Sequence, residues 1–268
     1  MDILTHTLSG IAVGTVISNA STSKIKDKLP ILFLAGFGAA LPDLDAISLW
    51  SGFDAKIGHF FNLKVSGKEI YSGKYWFSHH AFLHSATAAI LLSSVIGLFI
   101  HLKHGLINGF ARNIKQSFIQ NRHLILAFFL GFLIHLFEDM PTPASTWGGV
   151  NFFWPFKTYI GGTGHIWWWN NYDIFLIVVA VIIINLNMAI VQNYRKYPIG
   201  KVSIGVFLIG LLLSLYQIKT RNYNFAYEGH TPQYEVYENK SKEIQKKILG
   251  ETVFHWMEQL DKKLPVYF

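Results

Sequence analysis

The chain has 268 residues, a net charge of +7, 51% hydrophobic side chains and only 15% charged ones. A soluble domain carries about 25% charged residues, so this composition, with a mean hydropathy of +0.30, argues for an integral membrane protein. Cysteine is absent, which excludes disulfides and thiolate ligands; any metal site must use His, Asp or Glu, a donor set that suits zinc, manganese or iron.

Taken in order, residues 3–19 form a first apolar segment with His6 near its start. No Lys or Arg precedes Lys24, so the basic start of a signal peptide is missing. Lys24, Lys26 and Lys28 make the next loop basic, and residues 29–41 form a second segment that ends in Pro42-Asp43-Leu44-Asp45. The third segment, 81–102, is entered through Ser78-His79-His80, with His84 and Ser85 inside it and Ser78 as the expected cap. A loop with Lys103, Arg112, Lys115 and Arg122 leads to the fourth segment, 124–137, whose end carries His135, Glu138 and Asp139. The run Trp167-Trp168-Trp169 reads as an aromatic belt at the membrane interface. Segments 174–191 and 202–216 follow, split by Arg195 and Lys196. Within the polar remainder, residues 241–261 have a helical pattern.

The fold expected is an all-α, polytopic membrane helix bundle of five or six membrane helices over residues 1–218, with a short soluble tail, 219–268, that carries an amphipathic helix. A spanning helix needs about 20 apolar residues. Segments one, two and four fall short, and each has a potential ligand near one end. They read as interior helices whose polar ends line a wet cavity. If all six cross, His6, Asp43, Asp45, His79, His80, His84, His135, Asp139, His165 and Asp173 fall on one face of the membrane. The loops on the other face hold more Lys and Arg, which places that face in the cytoplasm and the His/Asp face outside it. Lys219 and Arg221 run against this assignment. The basic residues form no nucleic-acid-binding motif, and the expected partners are the lipid bilayer and anionic lipid.

His135 and Asp139 are four apart and share a helix face. A catalytic metal site needs about three protein ligands and an open position; the ion acidifies water and a carboxylate moves the proton. The metal candidates are His79 or His80 together with His84, His135 and Asp139, followed by Asp43 and His6. Glu138 and Asp45 are the candidate catalytic carboxylates. His80 and His84, four apart, share a face of a regular helix, whereas His79 and His84 lie about 140° apart on one. His79 reaches the same ion only if it precedes the helix.

The order of motifs is Thr5-His6-Thr7-Leu8-Ser9-Gly10, then Leu41-Pro42-Asp43-Leu44-Asp45, then His79 with His84-Ser85, then His135 and Asp139 before Thr142-Pro143, then Trp154-Pro155-Phe156. This series, over roughly residues 1–175, resembles the YdjM-type family of bacterial inner-membrane proteins, described as metal-dependent hydrolases. The family's third motif looks like His-Arg-Gly-x-Thr-His-Ser. The resemblance therefore implies His79 and His84 as ligands, with His80 where Arg is usual. It also implies an inner-membrane location and a divalent transition metal, zinc first, as one or two ions. A looser likeness to zinc-dependent phospholipase C implies an ester or phosphoester substrate, either a small molecule or a lipid. The competing expectation is a non-catalytic, metal-stabilised membrane protein that binds a regulatory protein partner.

Overall fold

The computed structural model describes residues 1–21, 24–108, 113–195 and 198–263. In chain order they form α1 (Ile3–Ser21), α2 (Ile25–Ala40), a 3-10 stretch (Leu41–Leu49), α3 (Gly67–Ser72), α4 (Ala86–Asn108), α5 (Ile114–Gln120), α6 (Arg122–Asp139), α7 (Tyr172–Arg195), α8 (Gly200–Lys219) and α9 (Tyr234–Lys263). Among the described residues there is no strand, only isolated bridges such as Val150 with Ile160 in the loop before α7. Five helices are long and apolar enough to cross a membrane: α1, α2 with its 3-10 extension, α4, α7 and α8. The pair α5 and α6, bent by 70°, makes a sixth if the two count as one broken span. The architecture is the expected all-α polytopic bundle. Of the basic residues assigned to loops, Arg112, Lys196 and the side chain of Arg195 lie outside the described residues.

The short apolar segments are the interior helices α1, α2 and α6. Between helices in lipid, close van der Waals packing replaces the hydrophobic drive, and small residues let backbones approach. A Cβ on Gly10 of α1 would lie 2.4 Å from the Ala35 carbonyl oxygen, and one on Gly131 of α6 would lie 2.0 Å from the same atom. Ala35 of α2 is fully buried, pinched between the two neighbours. One helical end of this three-helix core then carries His6, Asp43, His135 and Asp139 together. On the outside, α4 and α8 turn Leu91, Val95, Leu208 and Leu212 outward.

Four local expectations are corrected. After a short 3-10 turn at Phe82–His84, the third segment becomes α-helical only at Ala86, because Ser85, not Ser78, supplies the cap: its Oγ accepts from the Ala88 N–H at 3.0 Å. Ser78 Oγ instead accepts from the Tyr75 N–H in a turn. Lys28 is not a loop residue. It is buried in α2, where Nζ donates to Asn19 Oδ1 at 2.7 Å and Gln192 Oε1 at 2.9 Å. The Trp167-Trp168-Trp169 run is no lipid belt: Trp167 is fully buried, and Trp167 and Trp169 both donate to Glu238 of α9. A carboxylate in reach satisfies the indole N–H groups that a headgroup region would otherwise take. The helix in the C-terminal segment starts earlier than position 241, at Tyr234, breaks at Gly250 (φ 74°), and packs Phe254 and Met257 against Tyr172 of α7.

Candidate metal centre

Four ligand atoms, one each from Asp43, His84, His135 and Asp139, lie within 4.8 Å of one another, drawn from three different stretches of chain. His135 Nε2 is 3.1 Å from Asp139 Oδ2 and 3.5 Å from Asp43 Oδ1. His84 Nε2 is 3.6 Å from Asp139 Oδ2 and 3.7 Å from Asp43 Oδ1. The i, i+4 spacing on α6 brings His135 and Asp139 together as anticipated. The 3-10 continuation of α2 swings Asp43 over them. The turn before α4 delivers His84. A second group, His79, His80 and His84, meets the same criterion and shares His84 with the first.

His6 completes the ring from α1. Its Nε2 lies 3.2 Å from Asp139 Oδ1, and its ring centroid is 3.9 Å from that of His135. The Met1 amino nitrogen is 2.7 Å from Asp139 Oδ1. His165 is exposed and bonds to Thr163, and Asp173 is buried in a pair with Arg221 at 2.9 Å; neither joins the centre.

The outer contacts follow one rule. His135 Nδ1 donates to the Ala39 carbonyl at 2.7 Å, and His80 Nδ1 to the Gly149 carbonyl at 2.9 Å. His79 Nδ1 donates to Asp45 Oδ1 at 2.8 Å, and His6 Nδ1 to Glu138 Oε2 at 2.7 Å. A carbonyl oxygen only accepts, so the proton of a neutral His135 or His80 sits on Nδ1 and Nε2 keeps the lone pair; in His135 that nitrogen lies 3.2 Å from His84 Nε2. This is how metal-binding histidines are held: an oxygen on one ring nitrogen sets the tautomer and aims the other. His80 Nε2 and His6 Nε2 are buried with no hydrogen-bond partner. His84 is the exception, because its Nδ1 accepts from the His80 N–H at 3.3 Å.

The histidines before α4 differ in charge preference. Burial drives the His84 pKa down to about 4, helped by the neighbouring His79. Burial, then His79 and His84, hold His80 well below the usual imidazole value. Burial also opposes a charged His79, but Asp45 and the carboxylates beyond it hold its pKa above the usual value. His80 and His84 are therefore neutral near pH 7, the state in which imidazole binds metal.

This donor set fits a divalent transition ion. A buried carboxylate, a half-buried one and two buried imidazoles converge on one point, and orphaned nitrogens border it. Burying Asp139 (3% exposed) and Asp43 (14%) beside one another is costly unless a cation compensates them.

Sequence reasoning did not reveal the outer oxygens of Ala39 and Gly149, because a backbone carbonyl has no residue signature. It also missed the aromatic walls. The centre opens into a cavity of about 450 Å³. Tyr71 stacks on His79 with centroids 4.4 Å apart, and Trp147 on His80 at 4.7 Å. Trp168, Tyr227 and Tyr234 also line this cavity; the two tyrosines come from the C-terminal segment.

A comparison with curated proteins finds no match, and none is found among solved structures. A family model does match: the YdjM inner membrane protein model covers residues 1–223, which includes the three interior helices and every candidate ligand. With its apolar spans, the chain is a multi-pass protein of the inner membrane, and it belongs to the YdjM inner membrane protein family.

Proposed function

We propose that the chain is a metal-dependent hydrolase that cleaves an ester or phosphoester at the membrane, with zinc as the ion. Convergence of a buried and a half-buried carboxylate with two buried imidazoles on one point carries this reading. Asp43, His84, His135 and Asp139 would hold the ion, with His6 adjoining from α1. The second group, His79, His80 and His84, provides the place for a second ion and keeps His79 in the ligand set that the resemblance implies. Such an ion, when bound, polarises a substrate oxygen and acidifies water.

The protein's own groups divide the remaining work. Asp45 and Glu138, the expected proton-transfer carboxylates, each face an imidazole Nδ1–H. Each can take that proton when its histidine changes state, and until then fixes the ring. Asp45 accepts the His79 Nδ1 proton and so aims Nε2 of that ring toward His80 and His84. Tyr71 and Trp147 hold the His79 and His80 rings in place and narrow the way in for water.

The test is hydrolysis of bis-p-nitrophenyl phosphate and p-nitrophenyl esters by detergent-purified protein. Activity should rise with added zinc, vanish on chelation, and be absent from His135→Ala. Full activity of His135→Ala, or none with any metal or ester, rejects the reading.

A further inference from the structure

A second opening lies on the flank of the bundle, where α1, α6, α7 and α8 meet, with a volume of about 120 Å³. Its walls include Ile134, Val178 and Phe207, and its mouth Leu211 and Leu215, which are 37% and 45% exposed. α1, α7 and α8 are spanning helices by length and composition, so the medium at this mouth is lipid. At its inner end the crevice changes character. It reaches Glu138, the partner of His6 Nδ1, and Met1, which also lines the cavity of the His/Asp centre.

A further observation points to a ligand. Ser9, which lines the crevice, is 4% exposed, and its Oγ is buried with no hydrogen-bond partner. A buried hydroxyl without a partner is costly, and an oxygen on a guest molecule would relieve it. Ser9 lies three residues from His6 on α1, on nearly the same face, about 4.5 Å along the axis. The order outward from the centre is therefore carboxylate, hydroxyl, then apolar wall, which matches an amphiphile whose ester oxygens sit between head and chain.

We propose that this crevice seats one aliphatic chain of a membrane amphiphile, that Ser9 donates to an oxygen of its head-to-chain linkage, and that the head enters the His/Asp centre. The proposal rests on the hydrolase reading and names its substrate class: a lipid ester or phosphoester that enters sideways from the bilayer.

The experiment uses the chain in nanodiscs that contain phosphatidylglycerol with a diazirine in one acyl chain. After illumination, labelled peptides are mapped by mass spectrometry. Ile177, Val178 and Ser214 should be labelled at least about fivefold above Leu91 and Val95 on the outer face of α4, an excess that corresponds to a preference of about 1 kcal/mol. Ser9→Ala should remove most of that excess, since one buried hydrogen bond is worth about fivefold. Leu215→Trp changes only an exposed position at the mouth and should abolish the excess without unfolding the bundle. Equal labelling of crevice and α4 would mean annular lipid only and overturn the proposal, as would an excess untouched by Leu215→Trp or cross-links between two copies of the chain. Labelling needs no metal. Crevice labelling without hydrolysis sinks the hydrolase reading alone, and hydrolysis without crevice labelling sinks the crevice alone.

Discussion

His79 donates its Nδ1 proton to Asp45 Oδ1 across 2.8 Å, tying the turn before α4 to the 3-10 stretch after α2. Both groups are largely buried, with side chains 7% and 11% exposed. Burial disfavours the charged ring, and Asp45 outweighs it, so the His79 pKa is raised. The stability from this pair is full below about pH 6.5, the ordinary imidazole value, and is lost as pH rises through the raised value. Asp45→Asn should remove that pH dependence of unfolding. It should also weaken metal binding by about 10- to 100-fold, the usual effect of losing an outer-shell partner, as read by competition with a chromophoric chelator.

Metal content tests the inner ligands. Elemental analysis of protein purified without chelator should show one or two transition-metal ions per chain, and His135→Ala or Asp139→Ala should lose most of it. Retention of the full content by both variants would sink the site. His80→Ala and His79→Ala separate the two groups. If the first group alone binds metal, both variants keep the ion. If the second group is also filled, each loses about half.

Sidedness is open to direct labelling, because the chain has no native cysteine. Ser51 is exposed near the His/Asp centre; Gln116 of α5 is exposed at the other end, whereas its neighbour Ser117 is buried. Ser51→Cys should react with an impermeant maleimide added outside the inner membrane, and Gln116→Cys only after lysis. The reverse pattern would place the centre in the cytoplasm.

Docking of α9 should depend on acid. Burial alone would raise the Glu238 pKa, but donation from Trp169 and Trp167 and the nearby Lys242 hold it below the usual value. Its contribution is therefore complete above about pH 4.5 and is lost as pH falls through the depressed value. The intrinsic fluorescence of the tryptophan run should report this release, and Glu238→Gln should flatten the transition. A transition unchanged by Glu238→Gln would place its cause elsewhere.

Helix spacing should be equally sensitive. Gly131→Val forces a Cβ toward the Ala35 carbonyl and should destabilise the bundle by about 1–3 kcal/mol, the usual cost of overpacking, measured by unfolding in mixed micelles. An exposed control, Leu212→Val on α8, should change stability by less than about 0.5 kcal/mol.

The bundle and the residue types of its centre were legible in the sequence because hydropathy marks spans directly, and because alternation of sides gathers His6, Asp43, His84 and His135 at one end. Asp139 was legible for a second reason, its i, i+4 spacing from His135. The link from His80 to Gly149 O was not, since it depends on a positive φ of 61° at His80 that no periodicity encodes. The start of α4 was misplaced because Ala81, Phe82 and Leu83 are as apolar as the helix behind them, whereas the Ser85 cap decides where it begins. Trp167 and Trp169 were misread for a related reason. Indoles suit a headgroup layer and a buried carboxylate alike, and Glu238 lies some 70 residues away in sequence.

The contact of Gly10 and Gly131 with a single carbonyl of α2 makes the peptide plane at Ala35 a gauge block. α1 and α6 both close on α2 at this one atom, and the 3.9 Å between the His6 and His135 ring centroids depends on that approach. Side chains can be exchanged around the rim without changing that dimension. A single methyl group added one helical turn below His6 or His135, touching no ligand, would throw the whole centre out of register.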